Sequence, residues 1–280
     1  MTDVLDTLPH PLLAPVVRLA LQAGEAILPF WRTGVAVTAK ADDSPVTAAD
    51  LAAHQVLVEG LQALDPSIHV LSEEDANIAQ AERATWERWW LVDPLDGTKE
   101  FIAGSEEFTV NVALVERGQV VFGVVSMPTN GRCWLGGKDL GAWRREADGT
   151  GEAISVRTGP SGGQGVTVVA SRRHSSPEQE RLLAGLAEAV GELQLANIGS
   201  SLKFCLLAEG SADCYPRLAP TSQWDTAAAQ GVLEGAGGVV LQLDGQPFSY
   251  PPRESLLNPF FLALPANAPW RARLLELARA

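Results

Sequence analysis

The stretch WWLVDPLDGTKEF, residues 89–101, ends an apolar run on two aspartates three positions apart, with a proline between them and a glycine after. Residues 89–92 read as a β-strand. Asp93 then stands where that strand's backbone hydrogen bonding stops, and ligands of layered folds gather at such strand ends. Pro94 fixes φ and removes a donor, so the chain turns and Asp96 points back beside Asp93. Two like charges held close repel unless a proton or a cation lies between them. A rigid turn that brings them together has the form of a metal cradle, and Gly97 and Thr98 behind it offer backbone N–H groups to a phosphate. An ordinary Asp-Gly surface turn capping a helix explains the same residues, so the rest of the chain has to decide.

Upstream, HVLSEED closes another short apolar strand on Glu73 and Glu74; downstream, TSQWDTAAAQG puts Asp225 in the first turn of an Ala-rich helix beside Trp224. Each has a plainer reading as well: a solvated acidic loop for the glutamates, a charge opposing the helix dipole for Asp225. Three acidic sites, each at the edge of an apolar element, point to one cluster.

The elements around them follow from periodicity. Leu13, Val16, Val17, Ala20, Leu21, Ile27, Leu28 and Trp31 recur at spacings of three and four and predict an amphipathic helix ending before Gly34. In KADDSPVTAADLAAHQVLVEGL a polar loop precedes a helix with Thr47 as N-cap and Asp50 at the capping-box position. Short strands at 68–71, 89–92, 108–115 and 120–126, the last two a hairpin across Arg117 and Gly118, predict antiparallel sheet with helices. After the Gly-rich TGPSGGQG the texture alternates: strand VTVVAS, helix 177–190, strand ELQLANI, helix SSLKFCLLAEG, strand ADCYP, helix WDTAAAQGVLEGAG, strand VVLQL. A boundary near residue 160 divides an N-terminal α+β domain, 1–160, carrying most of the acids, from a C-terminal α/β domain, 161–280, that completes the site.

Composition sets the limits. A 280-residue chain with 46% hydrophobic residues has ample material for a packed core, which excludes disorder of the whole. A net charge of −13 argues against a nucleic-acid partner, whose phosphates need clustered Lys and Arg. MTDVLDTLPHPLLAP is acidic where a secretory signal would be basic, and no run of eighteen uncharged apolar residues occurs, so the expectation is a cytoplasmic protein without a transmembrane segment. Cys133, Cys205 and Cys214 form no ligand spacing and fit reduced thiols, Cys205 and Cys214 buried beside Phe204 and Tyr215. Trp86, Trp89 and Trp90 are assigned to packing.

In order along the chain, SEED, DPLDGT and QWDTAA resemble the signature of the inositol monophosphatase superfamily of metal-dependent phosphatases. KADDSPVTAAD, VDPLDGTKEF, GSSLKFCLLAEGSADCYPR and LNPFF are similar to its 3'(2'),5'-bisphosphate nucleotidase branch, and the likeness runs over residues 40–261. The resemblance implies a layered αβαβα sandwich of mixed α+β and α/β character, with the site where its two domains meet. It implies two or three Mg²⁺ ions, one held by Glu73, Asp93 and the carbonyl of Leu95, another by Asp93, Asp96 and Asp225. Hard oxygen ligands without His or Cys agree with magnesium.

The resemblance also assigns roles. Thr98 contacts the attacking water, Asp50 takes its proton through that hydroxyl, and Glu73 joins them in the catalytic set. The scissile phosphate rests against Leu95, Asp96, Gly97 and Thr98, with Asp225 beside it. Lys40, His174 in SRRHSSPEQE, Ser200, Ser201, Lys203 and Arg217 take the rest of the substrate, and Lys99 is a further source of positive charge. Gly199 allows the tight turn before that segment, and its serines begin a helix.

The substrate implied is a small anionic phosphate, adenosine 3',5'-bisphosphate, cleaved to AMP and phosphate in sulfate assimilation, with its sulfated form a second. Inositol monophosphate and fructose 1,6-bisphosphate share the motif chemistry, and SSLKFC with YPR favours the nucleotide. A non-catalytic metal or nucleotide sensor is the reading from another class, and an intact Glu73, Asp93, Asp96, Thr98 and Asp225 speaks against it, since a binder needs no water-activating pair. Members of the superfamily occur as monomers and dimers, some at the inner face of the plasma membrane, and lithium inhibition is typical of them. IAGSEEF departs from close relatives by its acidic pair, Glu106 and Glu107.

Overall fold

In the computed structural model, which describes residues 3–34, 36–39, 45–157, 159, 165–170 and 177–279, the first apolar stripe forms α1, Leu13–Ile27, with Leu13, Val16, Val17, Ala20, Ala23 and Ile27 fully buried. The helix ends before the pattern does. Pro29 lacks the N–H to carry it on, Leu28–Phe30 tightens into a 3-10 turn, and Trp31 donates its indole N–H to the Ser105 carbonyl. By length and composition Leu13–Phe30 passes for a membrane span, yet it carries Arg18 and Glu25 and packs one side on neighbouring elements.

A ribbon of β1 (Val37–Ala39) and β2 (Pro45–Thr47) leads into α2, Ala48–Leu64. Thr47 caps this helix as expected: its hydroxyl accepts from the Ala49 N–H, and the Asp50 carboxylate accepts from the Thr47 N–H at 2.8 Å. β3 (His69–Ser72), α3 (Gln80–Arg83), β4 (Arg88–Asp96), α4 (Thr98–Ile102), β5 (Thr109–Glu116), β6 (Gln119–Met127), β7 (Arg132–Gly137), β8 (Gly141–Arg145) and β9 (Gly151–Ala153) follow. Their strands make one seven-stranded sheet in sequence order. β3 lies parallel to β4 and the remaining pairs are antiparallel, so the expected antiparallel sheet is in fact mixed. It is also three strands wider than expected. RCWLGG, GAWRR and GEA carry too many Gly and Arg to show apolar alternation, and they are strands because β6 offers them an edge.

The C-terminal half alternates β10 (Val166–Ala170), α5 (Pro177–Val190), β11 (Leu193–Asn197), α6 (Leu202–Ala208), β12 (Tyr215–Arg217), α7 (Ala227–Gly235), β13 (Gly238–Gln242), β14 (Phe261–Pro265) and α8 (Arg271–Arg279). β12, β14 and β13 form an antiparallel sheet, with the parallel pair of β10 and β11 alongside. Neither β14 nor α8 is announced by the pattern, and the strand expected in ADCYP begins at Tyr215, because Cys214 makes only an isolated bridge to Val168.

Side-chain alternation stacks these pieces. On one face of the large sheet Trp90, Val92, Val110, Val112, Leu114 and Val124 meet α1 and α2. On the other, Trp89, Leu91, Ala113, Val115 and Val125 meet α6 and α7, with Tyr215 and Phe261 of the second sheet beneath. α7 lies so close that a Cβ on Gly123 of β6 would fall 1.8 Å from the Ala228 carbonyl oxygen. The second sheet's outer face, with Leu241, Leu262 and Leu264, packs on α5 and α8. The result is the αβαβα sandwich expected. The boundary expected near residue 160 falls largely outside the described residues.

Candidate active site

Asp93 pairs with Asn111 but Asp96 pairs with Thr109, so β4 carries one residue more than β5 between those points. In a regular strand positions 93 and 96 point to opposite faces. The extra residue reverses the alternation, which is visible in Leu95 packing with Trp90 and Val92 rather than with Leu91. Both aspartates therefore share the face turned toward α6 and α7. The expectation that Asp93 lies at a strand end is corrected here: DPLD stays inside β4, and Pro94 sits where the ladder is already interrupted. The Leu95 N–H is taken by Asp93 Oδ1 at 3.0 Å. Gly97, left-handed at φ 96°, turns the chain into α4.

Glu73 follows β3 and donates its N–H to the Val92 carbonyl at 3.0 Å, which sets its carboxylate beside Asp93. Asp93 is 1% exposed. Burial first, then the charges of Glu73, Asp96 and Asp225, hold its carboxyl well above the usual carboxylate range. Asp225 ends the 3-10 turn Gln223–Asp225 and accepts the Ser222 N–H at 2.8 Å. Burial and then Asp96 push its pKa up to about 8. Asn258, from LNPFF, steadies this turn by donating to the Ser222 carbonyl and the Thr226 hydroxyl.

Four acids from three separate segments thus act on one another, the observation on which a cation site depends. Among the described residues no three His, Cys, Asp or Glu side chains are grouped as a ready ligand cage. The fit to a hard divalent cation lies in the donor chemistry: carboxylates and the Leu95 carbonyl, all oxygen, in a place where burial and mutual repulsion favour a positive charge.

Asp50, 2% exposed, comes from the first turn of α2. Its Oδ2 accepts from the Thr47 N–H and hydroxyl at 2.8 and 2.7 Å, while Oδ1 faces the Thr98 hydroxyl at 3.3 Å. Thr98 Oγ1 is also 3.2 Å from the Leu95 carbonyl, and its single proton serves one acceptor at a time. Capping and contact with Thr98 therefore use different oxygens of one carboxylate.

Beside the acids opens a pocket of about 190 Å³, walled by Asp96, Lys99, Ser200, Lys203, Arg217 and Asp225. Lys203 is 7% exposed, and its ammonium donates to the Ser200 carbonyl at 2.9 Å. Burial lowers its pKa to about 8, although Asp96 pulls the other way. The Arg217 guanidinium donates to the carbonyls of Ala219 and Pro220. Lys99 is exposed at the pocket's edge.

The tight turn expected at Gly199 is made instead by Ser200, at φ 48°. Gly199 is needed for a different reason: a Cβ there would meet Glu100 Cγ at 2.9 Å, and its N–H donates to Glu107 Oε2 at 2.8 Å. Glu107, half of the unusual acidic pair, thus anchors the pocket wall. Ser201 is 2% exposed and spends its donors inside the protein, the N–H on Asp96 Oδ2 at 2.6 Å and the hydroxyl on the Asp225 carbonyl at 2.8 Å. Lys40 and His174 lie outside the described residues. Asn111, absent from the expected set, donates to both Asp96 and Ser201; its only signal in the sequence is that it interrupts the apolar run VNVALV.

Residues 8–278 match the family model described as the inositol monophosphatase family. The chain belongs to that family. It is 46% identical over 252 residues to the 3'(2'),5'-bisphosphate nucleotidase CysQ of Escherichia coli (strain K12), covering 89% of this chain and 98% of that one. The protein of the same name from Haemophilus influenzae is 35% identical over 257 residues, with 91% and 93% covered. Among solved structures, CysQ from Bacteroides thetaiotaomicron, a bacterial member of the inositol monophosphatase family, aligns with a TM-score of 0.78 at 36% identity, covering 90% of this chain and 96% of that one. An inositol monophosphatase from Zymomonas mobilis aligns with a TM-score of 0.72 at 27% identity, covering 94% and 97%.

Proposed function

We propose that this inositol monophosphatase family member is a magnesium-dependent 3'(2'),5'-bisphosphate nucleotidase that hydrolyses the 3'-phosphate of adenosine 3',5'-bisphosphate to AMP and phosphate, a step of sulfate assimilation. The observation that carries the reading is the convergence of Glu73, Asp93, Asp96 and Asp225 beside a pocket walled by Lys203 and Arg217. Identity of 46% to a bisphosphate nucleotidase, against 27% to an inositol monophosphatase, supports the nucleotide.

Glu73, Asp93, Asp96, Asp225 and the Leu95 carbonyl are the groups that would hold magnesium, Glu73 and Leu95 with Asp93 on one side and Asp96 and Asp225 with it on the other. When bound, magnesium supplies positive charge against the phosphoryl oxygens and makes water more acidic. Thr98 Oγ1 accepts a hydrogen bond from the attacking water and passes its own proton toward Asp50 Oδ1, so a buried carboxylate takes up the proton that attack releases. Asp50 keeps its aim because Oδ2 is fixed by Thr47. The scissile phosphate lies against Asp96, Gly97 and Thr98; the P–O bond to the sugar 3' oxygen breaks, and that oxygen takes a proton from solvent water to leave as the 3'-hydroxyl of AMP. Lys203 and Arg217 face the 5'-phosphate and Ser200 lines its pocket, which answers the need for local positive charge in a chain of net charge −13. Lys40 and His174 complete the substrate contacts in this reading. Its setting is the reducing cytoplasm, in keeping with three buried, unpaired thiols.

Initial rates of phosphate release test this on adenosine 3',5'-bisphosphate, inositol 1-phosphate and fructose 1,6-bisphosphate, each with magnesium and with EDTA. The nucleotide should be preferred by kcat/KM, and EDTA should abolish turnover. A preference for either sugar phosphate overturns the substrate, and silence on all of them overturns the enzyme.

A further inference from the structure

Asn111 stands in β5 among Val110, Val112, Ala113 and Leu114 and is 1% exposed. A buried amide in an apolar strand is costly unless its hydrogen bonds are used. Both of its N–H bonds are: Nδ2 lies 3.2 Å from Asp96 Oδ2 and 2.9 Å from Ser201 Oγ. Ser201 extends the chain of contacts, its N–H reaching the same Asp96 oxygen at 2.6 Å and its hydroxyl the Asp225 carbonyl at 2.8 Å. In the sheet, Asn111 is also the register partner of Asp93. One amide therefore connects β4, the start of α6 and the turn before α7.

We propose that Asn111 is a positioning residue, tying Asp96 to Ser201 and so fixing the acids that act on the scissile phosphate at a set distance from the 200–203 wall that holds the rest of the substrate. The role rests on the nucleotidase reading of the pocket. The side chain's other end supports it: Oδ1 is buried with no hydrogen-bond partner among the described residues, so the residue is held for its nitrogen. An aspartate would set another charge against Asp96 and give no donor. A leucine would fill the space and tie nothing.

Asn111→Leu and Asn111→Ala are compared with the wild type for melting temperature, for kcat and KM on adenosine 3',5'-bisphosphate and on a small aryl phosphate that does not reach the wall, and for hydrogen exchange across 199–203. Asn111→Leu should stay folded, since an apolar side chain suits the strand. Its kcat/KM on the nucleotide should fall about tenfold or more, mainly through KM, with the aryl phosphate affected far less. Amide exchange across 199–203 should quicken while the large sheet is unchanged. If the leucine variant proves unstable, Asn111→Ala, which removes the donor without setting a charge beside Asp96, carries the same comparison. Unchanged exchange, or equal loss on both substrates, overturns the proposal. A wild type silent on the nucleotide overturns the activity instead, and the exchange rates still decide whether the tie exists.

Discussion

At the scale of single residues, the site holds side chains in states they would not choose in water. Asp93 is buried among acids, and burial together with the charges of Glu73, Asp96 and Asp225 opposes its ionisation. Asn in its place keeps the shape and an oxygen for the Leu95 N–H while removing the charge. Asp93→Asn should therefore raise the melting temperature in EDTA. It should lower kcat by a hundredfold or more, since metal stabilisation of a transition state amounts to several kcal/mol, at about tenfold for each 1.4 kcal/mol. A variant that keeps wild-type turnover sinks the metal assignment, and one that melts lower in EDTA sinks the account of strain. Asp50 makes the complementary point. Its capping role was legible from TxxD alone, but the contact of its second oxygen with Thr98 joins residues 48 positions apart, which no local pattern encodes.

At the scale of elements, what could be read was what is locally determined. α2 with its cap, α5 from Pro177 to Val190 and the hairpin of β5 and β6 are set by period, capping and turn residues close in sequence, and they stand where expected. β7 to β9 depend on β6 for an edge, and β14 on neighbours from both sides, so their residues carry little period of their own. The bulge in β4 is the instructive miss. DPLD was legible as a rigid acidic turn, yet it remains strand because one additional residue against β5 turns Asp96 to the same side as Asp93. The seat of α7 on β6 is equally nonlocal and is open to test. Gly123→Ala puts a methyl against the Ala228 carbonyl and should cost about 3 kcal/mol, within the range for overpacked cores. Urea denaturation measures this, and turnover should fall with it as the Asp225 turn shifts. A stability within experimental error of wild type means that α7 can yield.

At the scale of the whole molecule, the convergent acids couple metal binding to folding. Asp225 holds its proton up to about pH 8 in the folded chain, against a usual value of 3.8, and Asp93 is shifted in the same direction. Between these values the folded state binds more protons than the unfolded one, so stability is greatest on the acid side and falls as pH rises toward 8. Lys203 acts above that window: its pKa of about 8 lies below its usual 10.5, so its contribution recovers as pH rises further. In EDTA the melting temperature should fall between about pH 5 and 8, and saturating magnesium should flatten the curve by taking the place of the proton. A flat profile in EDTA removes the strain from the account. The likeness to nucleotidases, read over residues 40–261, extends to nearly the full chain, because the layers on either side of the site carry no motif yet share its architecture.

The contact between α7 and β6 has one more implication. Where a helix rests on a sheet through side chains, those side chains act as a cushion that can thicken or thin. Here main chain meets main chain, at a glycine, and the cushion is missing. The fourth acid, on the turn that opens this helix, is therefore gauged by a backbone contact, and trimming side chains beneath the helix cannot widen the cleft for a bulkier guest.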